Sequence, residues 1–149
     1  MLKAVIIDTS AVARGLLNTV LLDGGYDVVG QGHTCATAQA LMLKHQPQIL
    51  CIARDVVDAD RAGVQALRAE WPKALLFMVS SEFDPATVQA AHAMGVNGFI
   101  VKPFNAGTVL KTIRNTVLAM VKRQQKALAD QGGAPADGAA GNGESGGEA

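Results

Sequence analysis

Three residues far apart in the chain carry the chemistry of a phosphate site. Asp8 follows the apolar run Leu2 to Ile7, Ser80 follows Ala74 to Val79, and Lys102 follows Gly98 to Val101. A carboxylate, a hydroxyl and an ammonium are the groups needed to hold a hard cation and a phosphoryl group. The same residues have a plainer use. Asp8 and Lys102 could form a structural ion pair, and Ser80 could cap a loop. Spacing alone leaves both readings open.

These side chains can meet only if the intervening chain folds strand against strand. Ala4 to Ile7 is short, β-branched and apolar without alternation, which suits a strand covered on both faces. Ser10 is placed to cap a helix over 11 to 22, ended by Asp23-Gly24-Gly25. Tyr26 to Val29 is the second strand, with Gly30 and Gly32 marking a loop. Thr34 or Thr37 caps a second helix, stopped by Pro47. Ile49 to Ala53 is the third and most apolar strand. A polar loop from Arg54 to Arg61 leads to a third helix, Ala62 to Glu70. Ala74 to Val79 is the fourth strand. Asp84 and Pro85 open a fourth helix, which stops at Gly95. Gly98 to Val101 is the fifth strand, and Asn105 caps a last helix reaching about Leu128.

Strand and helix alternate five times, which predicts right-handed crossovers and an α/β, doubly wound, five-stranded parallel sheet. In such sheets the ligand site lies at the carboxyl ends of the strands. Thr9, Ala53, Arg54, Asp55 and Ser81 share that position with Asp8, Ser80 and Lys102. With strand order 2-1-3-4-5, they converge above the central third strand.

Residues 1–128 are expected to form one domain. Residues 129–149, rich in Gly and Ala with scattered acids, bury too little to offset their ordering entropy and are expected to be a disordered tail. The 13 basic and 13 acidic residues balance, so no nucleic-acid partner is expected. No run of about 18 apolar residues exists, and no membrane span is expected. Cys51 sits in an apolar run, and Cys35 with three scattered histidines makes no metal pattern. A cytoplasmic setting follows. No Gly-x-Gly-x-x-Gly follows the first strand, and no nucleophile with its base is visible, so an enzyme is not expected.

The stretch Val5-Ile6-Ile7-Asp8-Thr9-Ser10-Ala11-Val12-Ala13-Arg14 resembles the opening of a bacterial response-regulator receiver domain. Met78-Val79-Ser80-Ser81 is similar to the end of that family's fourth strand. Ala93-Met94-Gly95-Val96-Asn97-Gly98-Phe99-Ile100-Val101-Lys102-Pro103-Phe104 resembles its fifth strand and Lys-Pro-Phe end. Each motif is moderate, but three in order at the right distances are specific. The resemblance covers roughly residues 2 to 125. It implies a CheY-like, flavodoxin-like (βα)5 fold. Asp8 would then be a metal-binding carboxylate, Ser80 and Lys102 would contact a phosphoryl group beside Thr9, and Phe99 would take the aromatic switch position. The Lys102–Pro103 bond would be cis.

Two positions depart from the family. Thr9 stands where the resemblance implies a second acid, and a hydroxyl holds Mg²⁺ less well than a carboxylate. The phosphoacceptor is harder to place. Counting along the strand from Pro47 reaches Ala53, whereas counting back from Gly63 reaches Asp55. The strand count is preferred, because a two-residue slip would drag a buried strand out of register while a loop accepts an insertion. Asp55 then lies on the loop as a displaced acceptor or an imperfect phosphate mimic, and with Asp8 a weak Mg²⁺ ligand. Asp58 and Asp60 are loop carboxylates facing solvent.

The resemblance therefore implies a stand-alone receiver in two-component signalling. A sensor histidine kinase or other signalling protein would be its partner. A homodimer would form through the fourth helix, fifth strand and fifth helix. The conventional switch would phosphorylate Asp55 and draw Ser80 and Phe99 inward. The alternative is a pseudo-receiver, an interaction module that works without aspartate phosphorylation.

Overall fold

Uninterrupted apolar runs become the strands covered on both faces. The computed structural model, which describes residues 1–132, has β1 (Lys3–Ile7), α1 (Ala11–Asp23), β2 (Asp27–Gly32), α2 (Cys35–His45), β3 (Ile49–Ala53), α3 (Arg54–Ala59), α4 (Arg61–Glu70), β4 (Leu75–Ser80), α5 (Pro85–Ala93), β5 (Gly98–Val101) and α6 (Ala106–Gly132). The strands form one parallel sheet in the order β2-β1-β3-β4-β5, as expected. Every residue of the central β3 is buried. Edge strand β2 is half-buried along most of its length.

Alternation along the strands divides the core. Val5, Ile7, Leu50, Ile52, Leu76 and Met78 pack with Ala38 and Met42 of α2, Val64 and Leu67 of α4, and Ala91 of α5. Ile6, Cys51 and Phe77 point to the opposite face, and the buried residues Leu17, Leu21, Val109 and Ile113 remain to cover it. Burial pushes the Cys51 thiol up to about 12, so it acts as a small apolar side chain.

The chain divides after Arg114 into two compact units. The first holds the sheet, helices α1 to α5 and the opening turns of α6. The second, as far as it is described, is the rest of that helix from Asn115 to Gly132. The helix thus runs four residues beyond Leu128. Of the expected disordered segment, 129–132 are helical and 133–149 lie outside the described residues.

Two local readings are corrected. Gly30 and Gly32 belong to β2 and do not form a loop. A side chain at Gly30 would come within 2.7 Å of Leu41, and one at Gly32 would collide with Thr37. These glycines let α2 lie close on the strand. The polar loop over 54–61 is also absent. Residues 54–59 coil into α3 because Val56 and Val57 turn inward and are buried. Asp60 then caps α4, accepting from the Gly63 N–H at 2.9 Å.

Hydroxyl and carboxylate caps also start α1, α2 and α5. Ser10 caps α1 and Thr34 caps α2. Asp84 caps α5 with Pro85 as its first residue, accepting from the Thr87 N–H at 3.2 Å. Hydrogen bonding to Thr87 holds the Asp84 carboxyl below its ordinary value. A carboxylate with a depressed folded pKa stabilises above its unfolded value and loses that contribution as pH falls through the folded one. Amide exchange at Thr87 and Val88 should therefore speed up selectively on acidification below the usual carboxylate range. Asp84→Ala should show the faster rate at neutral pH; equal rates in the two proteins would refute the cap's role.

At the opposite end of the sheet from the strand mouths, Arg68 ties three segments together. Its Nη1 donates to the carbonyls of Trp71 (3.0 Å) and Ala74 (2.5 Å). Its Nη2 donates to the Gly95 carbonyl (2.8 Å) and to Asn97 Oδ1 (2.7 Å). Asn97 Oδ1 also accepts from the Leu76 N–H at 2.9 Å. Burial pulls the Arg68 pKa below its ordinary value.

Candidate phosphoryl-site geometry

The register of the sheet brings the candidate residues to one mouth. Ile7 pairs with Ile52, so Asp8 stands level with Ala53. Ala53 pairs with Val79, and Ser80 with Val101. The strand ends therefore deliver Asp8, Ala53, Ser80 and Lys102 to a shared cavity of about 340 Å³, which Thr9, Arg54, Asp55, Asp58 and Ser81 also line.

Asp8 is the one buried charged residue among those described, 4% exposed. Its Oδ1 accepts from the Ser10 N–H at 2.9 Å, and its Oδ2 pairs with Lys102 Nζ at 2.7 Å. Arg14 Nη1 donates to the Asp8 carbonyl at 2.6 Å and ties α1 to the end of β1. Lys102 is held from its own side, its N–H bonded to the Ser80 carbonyl at 2.9 Å. The Lys102–Pro103 peptide is cis.

Asp55 lies in the first turn of α3, not on a loop. Thr9 Oγ1 donates to its Oδ2 at 2.6 Å, and the Val56 N–H donates to its Oδ1 at 2.9 Å. Ala53, at the end of β3, is 2% exposed and presents only a methyl group. Ser80 lines the cavity, but its hydroxyl is engaged with the following turn. Its Oγ donates to the Glu82 carbonyl at 2.9 Å and accepts from the Glu82 N–H at 3.2 Å. Asp58 does not simply face solvent; it pairs with Arg54 (3.6 Å) and Arg61 (3.1 Å).

Phe99, half-buried on β5, sits between two rings. Phe83 meets it edge-on at a centroid distance of 5.0 Å, and His92 at 5.2 Å. Sequence reading named neither ring as its partner. They come from a loop and a helix end, and no period links them to residue 99.

A magnesium ion takes about six oxygens in octahedral geometry, usually with one or two carboxylates and several waters. Asp8 and Asp55 each meet an internal partner on both oxygens, one of these an ammonium, and Thr9 stands where a second carboxylate would follow Asp8. Among the described residues no group of three acidic, histidine or cysteine side chains could hold a metal. The residues present do not fit a resident Mg²⁺.

No protein-family model matches the chain. The chemotaxis protein CheY of Bacillus subtilis is 28% identical over 118 residues, 77% of this chain and 97% of that protein. The solved structure of CheY4 from Vibrio cholerae superimposes with a TM-score of 0.71 at 28% identity, covering 78% of this chain and 98% of that one. The relatives of this chain are CheY and other response-regulator receiver domains, and it shares their fold. A receiver of Methanospirillum hungatei, 16% identical with a TM-score of 0.73, shares the fold. The chain also matches a protein-glutamate methylesterase of Halobacterium salinarum, but over only 36% of that protein. Receivers of this type are signalling modules of two-component phosphorelays. Among the described residues no helix is long and apolar enough to cross a membrane.

Proposed function

We propose that this receiver acts as a cytoplasmic interaction module of a two-component pathway whose trigger is not aspartate phosphorylation. The observation that carries the reading is Ala53. It ends β3 level with Asp8, where the resemblance implies the acceptor, and its methyl group cannot take a phosphoryl group. The surrounding polar groups support the reading, because each already has an internal partner. Lys102 neutralises Asp8, Thr9 occupies Asp55, and Glu82 occupies Ser80. A phosphoryl group arriving there would have to displace all three contacts. A sensor histidine kinase or another signalling protein is the proposed partner. The surface of α5, β5 and the first turns of α6 is the proposed contact, for that partner or for a second copy.

A second reading has one observation in its favour. Asp55 lines the same cavity as Lys102 and Ser80, so it could accept a phosphoryl group from a displaced position. One experiment separates the two. The full chain is incubated with acetyl phosphate and Mg²⁺, and its intact mass is measured. No gain is expected, whereas the double variant Thr9→Asp/Ala53→Asp should gain one phosphoryl group. A gain in the natural chain that disappears in Asp55→Ala would overturn the proposal in favour of the second reading.

A further inference from the structure

We infer that Arg54 holds the connection between β4 and α5, and through it the Phe99 ring, in one position without any phosphoryl group. The inference rests on the phosphorylation-independent reading above and supplies its mechanical part. Arg54 leaves the sheet immediately after Ala53, and its Nη1 reaches across to the Glu82 carbonyl at 3.2 Å. The same carbonyl accepts from Ser80 Oγ at 2.9 Å, and the Glu82 N–H returns a bond to Ser80 at 3.2 Å. Residue 82 is thus gripped from the β3 side by a guanidinium and from the β4 side by a hydroxyl. The next residue, Phe83, places its ring 5.0 Å from Phe99 at 71° between ring planes. Phe99 in turn meets His92, an exposed residue in the last turn of α5, at 5.2 Å.

The residue type matters. A planar guanidinium can serve two acceptors in fixed directions, which a lysine ammonium does less well. Here Nε faces Asp58 at 3.6 Å while Nη1 serves Glu82. Asp58 is also paired with Arg61 at 3.1 Å, but the hold on the loop is the Nη1 bond to the Glu82 carbonyl, which Arg61 does not touch. The result is a continuous physical route from the end of β3 to the outer surface of α5. A contiguous route becomes a coupling only when a change at one end moves the other.

The test is aromatic NMR of the full chain with no phosphoryl donor present. Ring currents make the Phe83, Phe99 and His92 resonances sensitive to their mutual placement. Arg54→Ala should shift all three sets of ring signals. Arg61→Ala, which disturbs Asp58 without touching Glu82, should leave them in place. Arg54→Lys keeps the charge without the fixed donor directions of the guanidinium and should shift them in the same sense, but less far. Unmoved rings in Arg54→Ala, or equal shifts in Arg61→Ala, would overturn the inference. The mass measurement is independent: phosphate on Asp55 would defeat the phosphorylation-independent reading, while the ring shifts alone decide the role of Arg54.

Discussion

Replacing Arg68 by alanine should lower stability by about 3 kcal/mol, on the order of 10 °C in Tm for a domain of this size. The guanidinium gives four hydrogen bonds, to the carbonyls of Trp71, Ala74 and Gly95 and to Asn97 Oδ1. A hydrogen bond from a charged donor is worth roughly 1.5–3 kcal/mol net, but four bonds from one side chain do not add, and water can reach this half-buried site. The loss is concentrated where the chain enters β4 and β5, because these acceptors lie just before or within those entries. Arg68→Lys should recover little, since one ammonium cannot span four acceptors in a plane. Asn97→Ala combined with Arg68→Ala should cost less than the sum of the two, because they share a bond. Urea denaturation of the natural chain and the four variants measures this. A loss below about 1 kcal/mol in Arg68→Ala would mean that the guanidinium is a passive surface group.

Lys102→Ala should cost about 2 kcal/mol, for a different reason. Removing one partner of a buried pair leaves an uncompensated charge, at roughly 3–5 kcal/mol in full burial. Here the Asp8 side chain is 5% exposed and that of Lys102 28%, so solvent reaches the vacated position and reduces the penalty. The double variant Asp8→Asn/Lys102→Met should regain much of the loss. The amide can still accept from the Ser10 N–H, and no charge is left without a partner. The same denaturation measurement decides it. If the double variant is as unstable as Lys102→Ala, the penalty belongs to lost packing of the lysine stem and not to a stranded carboxylate.

The two predictions bear on opposite ends of the sheet. Arg68 secures the strand entries far from the cavity, whereas Lys102 closes the cavity itself. A loss of stability at Arg68 is therefore separable from any change at the cavity. A variant at Arg68 should change stability while leaving the Thr9–Asp55 and Arg54–Glu82 contacts as they are. That separation allows a loss of partner binding in a site variant to be read as a surface effect, provided its denaturation midpoint is unchanged.

How far the residues alone reach can be judged from particular cases. The run Ile49 to Ala53 predicts a fully buried strand, and β3 is one, because a segment apolar on both sides of a pleat has nowhere else to go. That Asp8, Ser80 and Lys102 end strands is legible for the same reason. Asp55 is the opposite case. Reading 54–61 as a polar loop counts its charges and overlooks Val56 and Val57, whose burial winds the segment into α3. That winding carries the Asp55 carboxylate to Thr9.

The buried runs, the helix caps and the placing of polar residues just after the strands were set by local composition and period, which act over a few residues, whereas the order of the strands was what the family resemblance implied. The partners those residues take were decided only in three dimensions. Arg68 finds Gly95 and Asn97 across 27 and 29 residues, and Thr9 finds Asp55 across 46. Such contacts follow from how helices settle on the sheet, and no spacing along the chain encodes the angstrom-level fit between side chains that meet only after the layers have packed.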